Sequence, residues 1–430
     1  MSRPDALSFA EAHTQTKAWY DMAVGQRAYR LAYIIDAAQC CGLDEGELEA
    51  LHASLAFHQE LLARDSFFRA HTNHGLYQAL GQLAASRRFL HLDRNKEYFE
   101  LASLRLQLMF ERSFFPSGIH REHSPDYHYM ILGTLLGARA SGLLKPSMNK
   151  MISEAEDVLR WLAGPYGTLA TIGDTALKSR IPISRGGEPE GIRAFDDAGM
   201  VFIKEPRRHF AQIAGFHSRT HKHADHFSMV WWDGNREILI DPGRYGYVGQ
   251  TVPRSDLWNE GFWYSDPNRV YVERTRAHNC VEIDGRDYPR KNTRPFGSAL
   301  TAAEKQGDLY VTTCEATHFR TVRHRRDCIL KPGHFLLMLD WLYDRSGEEH
   351  AFRQWLQVAP DWSALPAESG ARFAQDGETL AVLDLLERGV PVVLWGQTEP
   401  FMSGWRSDGP ESITPSNSLY FERKGSLAGS

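Results

Sequence analysis

The 430-residue chain is 42% hydrophobic and 24% charged, so it can bury more than one core and reads as two domains. Its formal net charge of -5 argues against a nucleic-acid partner, although an acidic average still allows a local basic groove for a polyanion. The five cysteines (Cys40, Cys41, Cys280, Cys314 and Cys328) are odd in number and lack CxxC spacing, which reads as reduced thiols rather than a disulfide framework.

From the N-terminus onward no apolar run reaches the length of a signal core or a membrane helix. As written the sequence reads as cytoplasmic; a chain trimmed of an export signal, and so periplasmic or secreted, would look the same. Residues 1–182 read as helical. Leu48, Leu51, Leu55 and Leu62 fall at helical spacing, as do Tyr98, Leu101, Leu104 and Leu108, and then Met130, Leu132, Leu135 and Leu136. Pro116-Ser-Gly118, Pro146-Ser147 and Gly164-Pro165 punctuate these helices. Consecutive helices without strands fit a bundle, a solenoid or an α/α toroid, and no clean internal repeat decides among them.

Two segments of this half carry chemistry. In His71-Thr-Asn-His-Gly-Leu-Tyr77, Asn73 and His74 precede an apolar helix; the ordinary reading is a cap followed by a solvated first-turn residue. In Arg121-Glu-His-Ser-Pro-Asp-Tyr-His128, Ser124 as N-cap and Pro125 at the first helical position predict a helix start with Tyr127 and His128 in its first turn. A tyrosine there is ordinarily a packing residue with a satisfied hydroxyl.

Composition shifts through Pro182-Ile-Ser-Arg-Gly-Gly-Glu-Pro-Glu-Gly191, the candidate linker, and over residues 195–430 the apolar period becomes two. The runs 200–204, 210–215, 309–313, 335–342 and 352–358 read as strands of an antiparallel β-sandwich. The stretch from Ser218 to Gly243 is the densest in chemistry. Its runs Phe227–Trp232 and Glu237–Ile240 flank Asp233-Gly234-Asn235, which predicts a hairpin. Extended alternation would set His221, His223 and Asp225 on one face, suited to zinc or non-haem iron. Asp241 opens a Pro-Gly turn, and His278 follows a later strand-like run, 271–285.

The strings Thr220-His-Lys-His-Ala-Asp-His226, Asp241-Pro-Gly243 and Arg274-Thr-Arg-Ala-His-Asn279, together with Asn73-His74 and Ser124-Pro-Asp-Tyr-His128, resemble the heparinase II/III-like polysaccharide lyases. That resemblance implies an α+β chain, an α/α toroid short of some helices followed by an antiparallel β-sandwich. It implies His223, Asp241 and His278 as ligands of a structural zinc ion, where the face argument alone favours Asp225. It places His221, Asn73, His74 and Tyr127 in the active site. Arg219 and His128 are further candidates for substrate contact, as are Tyr264 and Tyr271 in the loop before His278, whose ordinary alternative is strand packing.

The implied partner is a uronate-containing polysaccharide or oligosaccharide, cleaved by β-elimination. Removing the C5 proton places a second negative charge beside a carboxylate. The site must neutralise that carboxylate, through Asn73 with His74 or Arg219, and supply a base and an acid at C5 and O4. Tyr127 suits the acid; the base is Tyr127 itself, His74 or His221. Three other readings use the same residues: an iron(II) oxygenase built on His223, Asp225 and His278; a glycoside hydrolase drawing on Glu122, Asp126 and Asp174; and a non-catalytic sugar-binding protein.

Overall fold

A computed structural model of the chain describes residues 16, 18–177, 179–181, 187–234, 236–387 and 389–426; part of the expected linker and Asn235 of the expected turn lie outside them. The chain forms two compact units, Met1–Phe115 with Ile131–Ser153, and Pro116–Met130 with Glu154–Ser430.

The first unit is helical. It contains α1 (Asp21–Cys40), α2 (Glu45–Ala63), α3 (His74–Arg88) and α4 (Asn95–Ser113), most of α5 (Pro125–Ala140) and the start of α6 (Asn149–Leu162). Helix α2 begins at Asp44, whose side chain accepts from Glu47 N at 2.9 Å and so satisfies one of the free donors of the first turn. Val24 and Ala28 from α1 pack with Leu61, Leu62 and Phe67. Helices α1 and α3 touch backbone to backbone, since a Cβ on Gly81 would collide with Gly25 O. The buried stripe of α4 is Tyr98, Ala102, Leu106, Met109 and Phe110, one step round from the expected one; Leu104 is 62% exposed. Helical spacing found the helix, but several leucines there leave its inner face ambiguous. Among the described residues no helix is long and apolar enough to cross a membrane.

The second unit changes to strands where the sequence does, between the helical turn Pro165–Gly167 and the first strand, Gly191–Phe195. A nine-stranded antiparallel sheet runs in the order Gly191–Phe195, Met200–Glu205, Arg208–Ile213, Met229–Asp233, Arg236–Leu239, Glu349–Val358, Asn417–Ser426, Val392–Trp395, with Val281–Ile283 also paired to Glu349–Val358. A four-stranded sheet takes the long strands between Leu300 and Asp344. Phe210, Met229, Trp231, Leu239, Leu356 and Leu419 of the first sheet share one core with Tyr310, Cys328 and Leu330 of the second, which makes the arrangement a β-sandwich.

The hairpin forms, but its first strand begins at Met229 rather than Phe227. Residues 217–228 are a loop, with His221 at φ 54° and Phe227 at φ 63°. The expected alternation of His221, His223 and Asp225 therefore does not exist; the loop aims each side chain separately.

Candidate active site

Four segments of the sandwich unit converge beside this loop. The first is the start of α5. Ser124 Oγ receives Tyr127 N at 3.4 Å and donates to Asp174 O at 3.0 Å, so the predicted cap also anchors the helix start to the segment after α6. Tyr127 then stacks on His221, with ring centroids 3.6 Å apart, and its hydroxyl meets that of Tyr247 at 2.8 Å.

Asp174 lies at the centre, 1% exposed. One carboxylate oxygen receives His223 Nε2 at 2.9 Å and an Arg269 nitrogen at 2.6 Å. The other receives His221 Nδ1 at 2.9 Å and the Tyr247 hydroxyl at 3.0 Å. Burial would raise this carboxyl, but Arg269 and the two histidines hold it well below the usual carboxylate range. The chain reaches it through Gly173 at φ 53°, where a Cβ would sit 2.6 Å from His221 O; only glycine fits this approach.

The proton count around Tyr247 is decisive for Tyr127. A phenol has one proton, and Tyr247 donates its own to Asp174, so Tyr127 is the donor in the bond between the two hydroxyls. Burial pushes Tyr127 up to about 12, and burial together with Asp174 raises Tyr247 further. Both are phenols at neutral pH. His221 Nε2 faces away from Asp174, 3.4 Å from a Glu122 carboxylate oxygen.

Behind His221, His223, Asp241 and His278 are buried and place one ligand atom each within 4.8 Å of the others. His278 Nδ1 donates to Asp241 at 2.7 Å, while His223 Nδ1 and His278 Nε2 have no hydrogen-bond partner among the described residues. Asp241 also receives Gly243 N at 3.1 Å, the Pro-Gly turn seen in the sequence. Asp225, which strand alternation favoured as a ligand, is wholly buried in an ion pair with Lys222 instead. The set His223, Asp225, His278 required for an iron(II) oxygenase is therefore not assembled. Of the three carboxylates considered for a hydrolase, Asp174 is engaged as above, Asp126 receives Ser179 Oγ at 2.8 Å, and Glu122 lies 3.4 Å from His221 Nε2.

Asp174, His221, Tyr247, Tyr264, Trp263 and Arg219 line a cleft of about 70 Å³. The Arg219 guanidinium lies 4.5 Å over the 40%-exposed Trp263 ring and makes no ion pair among the described residues. Tyr264 stacks on Tyr247 with centroids 5.2 Å apart, as a cleft-lining residue should. Tyr271 does not line the cleft: it is 2% exposed, packed with Tyr245, Val272 and Ala277, and its hydroxyl receives Trp405 N at 3.2 Å. His128 is also interior. Its Nε2 donates to Ala155 O at 2.9 Å, its Nδ1 receives His120 N at 3.2 Å, and burial lowers it to about 4, so it fixes the loop before α5 rather than touching substrate.

Asn73 and His74 belong to the helical unit. Asn73 immediately precedes α3 and makes no cap bond with its side chain, so its amide is not consumed by the helix. His74 is held by Asp21 at 2.9 Å and by the Tyr20 hydroxyl at 3.1 Å.

Sequence reasoning missed Tyr247 and Arg269 and saw Asp174 only as a hydrolase carboxylate. For Tyr247 a signal exists in Gly243-Arg-Tyr-Gly-Tyr-Val-Gly249, an aromatic loop between glycines directly after the Pro-Gly turn.

A family model described as Heparinase II/III-like, C-terminal, matches residues 188–427. Among solved structures, a heparinase III is similar at TM-score 0.73 and 12% identity, covering 95% of this chain and 68% of that one. A variant of the heparan sulfate lyase HepC from Pedobacter heparinus is similar at TM-score 0.73 and 13% identity, covering 96% and 66%. The chain thus spans about two thirds of the length of each. No curated protein matches. At these identities the structures establish the fold alone, an incomplete α/α toroid followed by a β-sandwich.

Proposed function

The chain belongs to the heparinase II/III-like family, and from that premise we propose that it is a polysaccharide lyase that breaks a uronate-containing polysaccharide or oligosaccharide by β-elimination. The observation that carries this reading is the stack of Tyr127 on His221 beside Tyr247, at a cleft whose Arg219 has no carboxylate partner among the described residues. A proton donor, a titratable acceptor and a free cation are what the reaction requires.

Each group has a distinct task. Arg219 pairs with the substrate carboxylate, whose developing charge a fixed cation stabilises more as the C5 proton leaves. His221 takes the C5 proton at Nε2, because its Nδ1–H is committed to Asp174. Tyr127, a phenol at neutral pH with its pKa near 12, gives its proton to the departing O4. The exposed Trp263 ring offers a face for a sugar ring to stack on.

His223, Asp241 and His278 would hold a zinc ion. The donor set fits: two imidazoles and a carboxylate, all buried, bring one ligand atom each within 4.8 Å of the others, and each imidazole keeps one buried nitrogen without a partner among the described residues, which costs free energy that a ligand would remove. Asp174 orients His223 through its other nitrogen, as outer carboxylates do for metal-bound histidines. When bound, the ion supplies a cross-link that braces the loop carrying His221.

The test is an ultraviolet scan of the protein with a panel of uronic-acid polymers: alginate, hyaluronan, heparosan, heparan sulfate and chondroitin. A new absorbance from a C4–C5 double bond with any of them is expected; no rise with the whole panel, in zinc-loaded protein, overturns the proposal.

A further inference from the structure

Asp174 receives more hydrogen bonds than the metal cradle or the acid–base pair alone requires. Its two oxygens serve different functions: one holds His223 and Arg269, the other His221 and Tyr247. We infer that Asp174 is the positioning residue of the reaction, a single carboxylate that fixes the proton of His221 on Nδ1 and, through its other oxygen, seats the metal-facing ring of His223. This rests on the lyase reading for its catalytic consequence, but the positioning itself is a property of the folded chain.

The chemistry follows from what a carboxylate can do. An ionised carboxylate only accepts hydrogen bonds, so each histidine nitrogen facing it must carry a proton. For His221 the 2.9 Å hydrogen bond to Asp174 fixes the proton on Nδ1, and Nε2, whose approach to Glu122 at 3.4 Å is an ion-pair distance and not a hydrogen bond, is left to take a proton from substrate. For His223 the same constraint leaves Nδ1 as the nitrogen able to bind a cation, and that is the one without a partner among the described residues. Tyr247 is set by the same oxygen: donating to Asp174, it must accept from Tyr127, which aligns the acid as well. Arg269, ion-paired with both Asp174 and Glu273, holds the carboxylate in place.

The place of Asp174 in the chain fits a dedicated role. It follows Gly173, the position where no side chain is tolerated, and its own backbone N–H donates to His221 O at 3.1 Å. The carboxylate and the loop it orders are therefore locked together at main chain and side chain.

The test is Asp174→Asn, which keeps the volume but turns one acceptor into an N–H donor. The new amide would present that donor to His221 Nδ1 and force the proton to Nε2. At saturating zinc we expect kcat to fall at least about 100-fold with KM within about threefold, since losing an orienting carboxylate costs up to about 10⁴-fold where a histidine is the base. Zinc affinity, read by chelator competition without substrate, should weaken by about 10- to 100-fold. Restoration of kcat by excess zinc would mean that the effect runs through the metal alone and would overturn the inference, as would a kcat within about threefold of wild type. Should the variant not fold, nitrogen-15 spectra of histidine-labelled wild type, assigned with His221→Gln, decide the point: neutral His221 must carry its proton on Nδ1, and a proton on Nε2 sinks the proposal. If wild type cleaves no uronan the lyase reading fails, while the tautomer and zinc readouts still judge Asp174.

Discussion

Tyr127→Phe is the sharpest perturbation of the proposed chemistry, because it deletes one oxygen and leaves the ring free to keep its stack on His221 at 3.6 Å. The structural cost is small. One hydrogen bond to Tyr247 is lost, worth about 0.5–1.5 kcal/mol, and the Tyr247 oxygen retains His221 Nδ1 at 3.1 Å as a second neighbour. The kinetic cost should be large, since a general acid contributes about 10²- to 10⁴-fold. Stability and rate therefore separate: a melting temperature within a few degrees of wild type, and kcat reduced by at least about 100-fold, about 2.7 kcal/mol in the barrier. Both are read on the same preparation, by circular dichroism and by the absorbance of the unsaturated product. The pH profile adds a sign. An acid must be protonated, and burial holds Tyr127 near 12, so its loss on the alkaline side comes later than for an ordinary tyrosine at about 10. A Phe variant with kcat within about threefold of wild type would remove Tyr127 from the mechanism. A wild-type rate that climbs as pH passes from about 10 to about 12 would make the phenolate a base and refute its assignment as the acid.

His223→Ala should abolish stoichiometric zinc and lower the melting temperature by several degrees, because metal binding contributes to folding; unchanged zinc content by elemental analysis would dismiss the cradle. Arg219→Ala should raise KM for a uronan at least about tenfold, the loss of one charge-assisted contact of about 1.5–3 kcal/mol; an unchanged KM and kcat would show that the carboxylate is held elsewhere. His350, buried between Asp344 at 2.7 Å and Asp284 at 2.8 Å, is raised by those two hydrogen bonds. A raised histidine stabilises fully below its unfolded pKa of about 6.5 and loses that contribution as pH rises through its folded value. The melting-temperature gap between wild type and His350→Gln should accordingly be widest near about pH 5.5 and narrow toward about pH 8.5; a gap that widens instead contradicts the ion-pair reading.

What was legible in the sequence was local. The helix start at Ser124-Pro125, the hairpin around Gly234, the change of period near residue 190 and the Pro-Gly turn at Asp241 each depend on neighbours a few residues apart, and each appears in the fold. Residue type alone misled wherever packing and function call for the same side chain. His128 and Tyr271 look like site residues and are interior braces, while Asp225 sits among histidines yet pairs with Lys222. Asn279 is a related case. In the His-Asn pair the histidine belongs to the cluster proposed to hold zinc, but the asparagine ties Met229 O and Ile240 O together and accepts from Gln357 N, linking three segments of the sheet. Nothing local marks Tyr247 or Arg269 as partners of Asp174, because they reach it across 73 and 95 residues.

The same long reach explains why the site is built on loops and is still preorganised. None of Asp174, His221, His223 or Tyr247 lies in a strand. Their positions are instead set by main-chain bonds between loops: Asp174 N to His221 O at 3.1 Å, Ala224 N to Glu273 O at 2.9 Å and Ser407 N to Pro242 O at 2.8 Å. Such bonds hold one loop only as firmly as the next, and a cross-link at His223, Asp241 and His278 ties two of these loops and the start of the strand at Val281 into one body. A metal in that cradle would act on catalysis through geometry alone, keeping His221 in contact with Tyr127. Removing it should loosen the alignment of the acid and base before it unfolds the sandwich, whose core of Phe210, Trp231, Leu356 and Leu419 is formed elsewhere in the sheets.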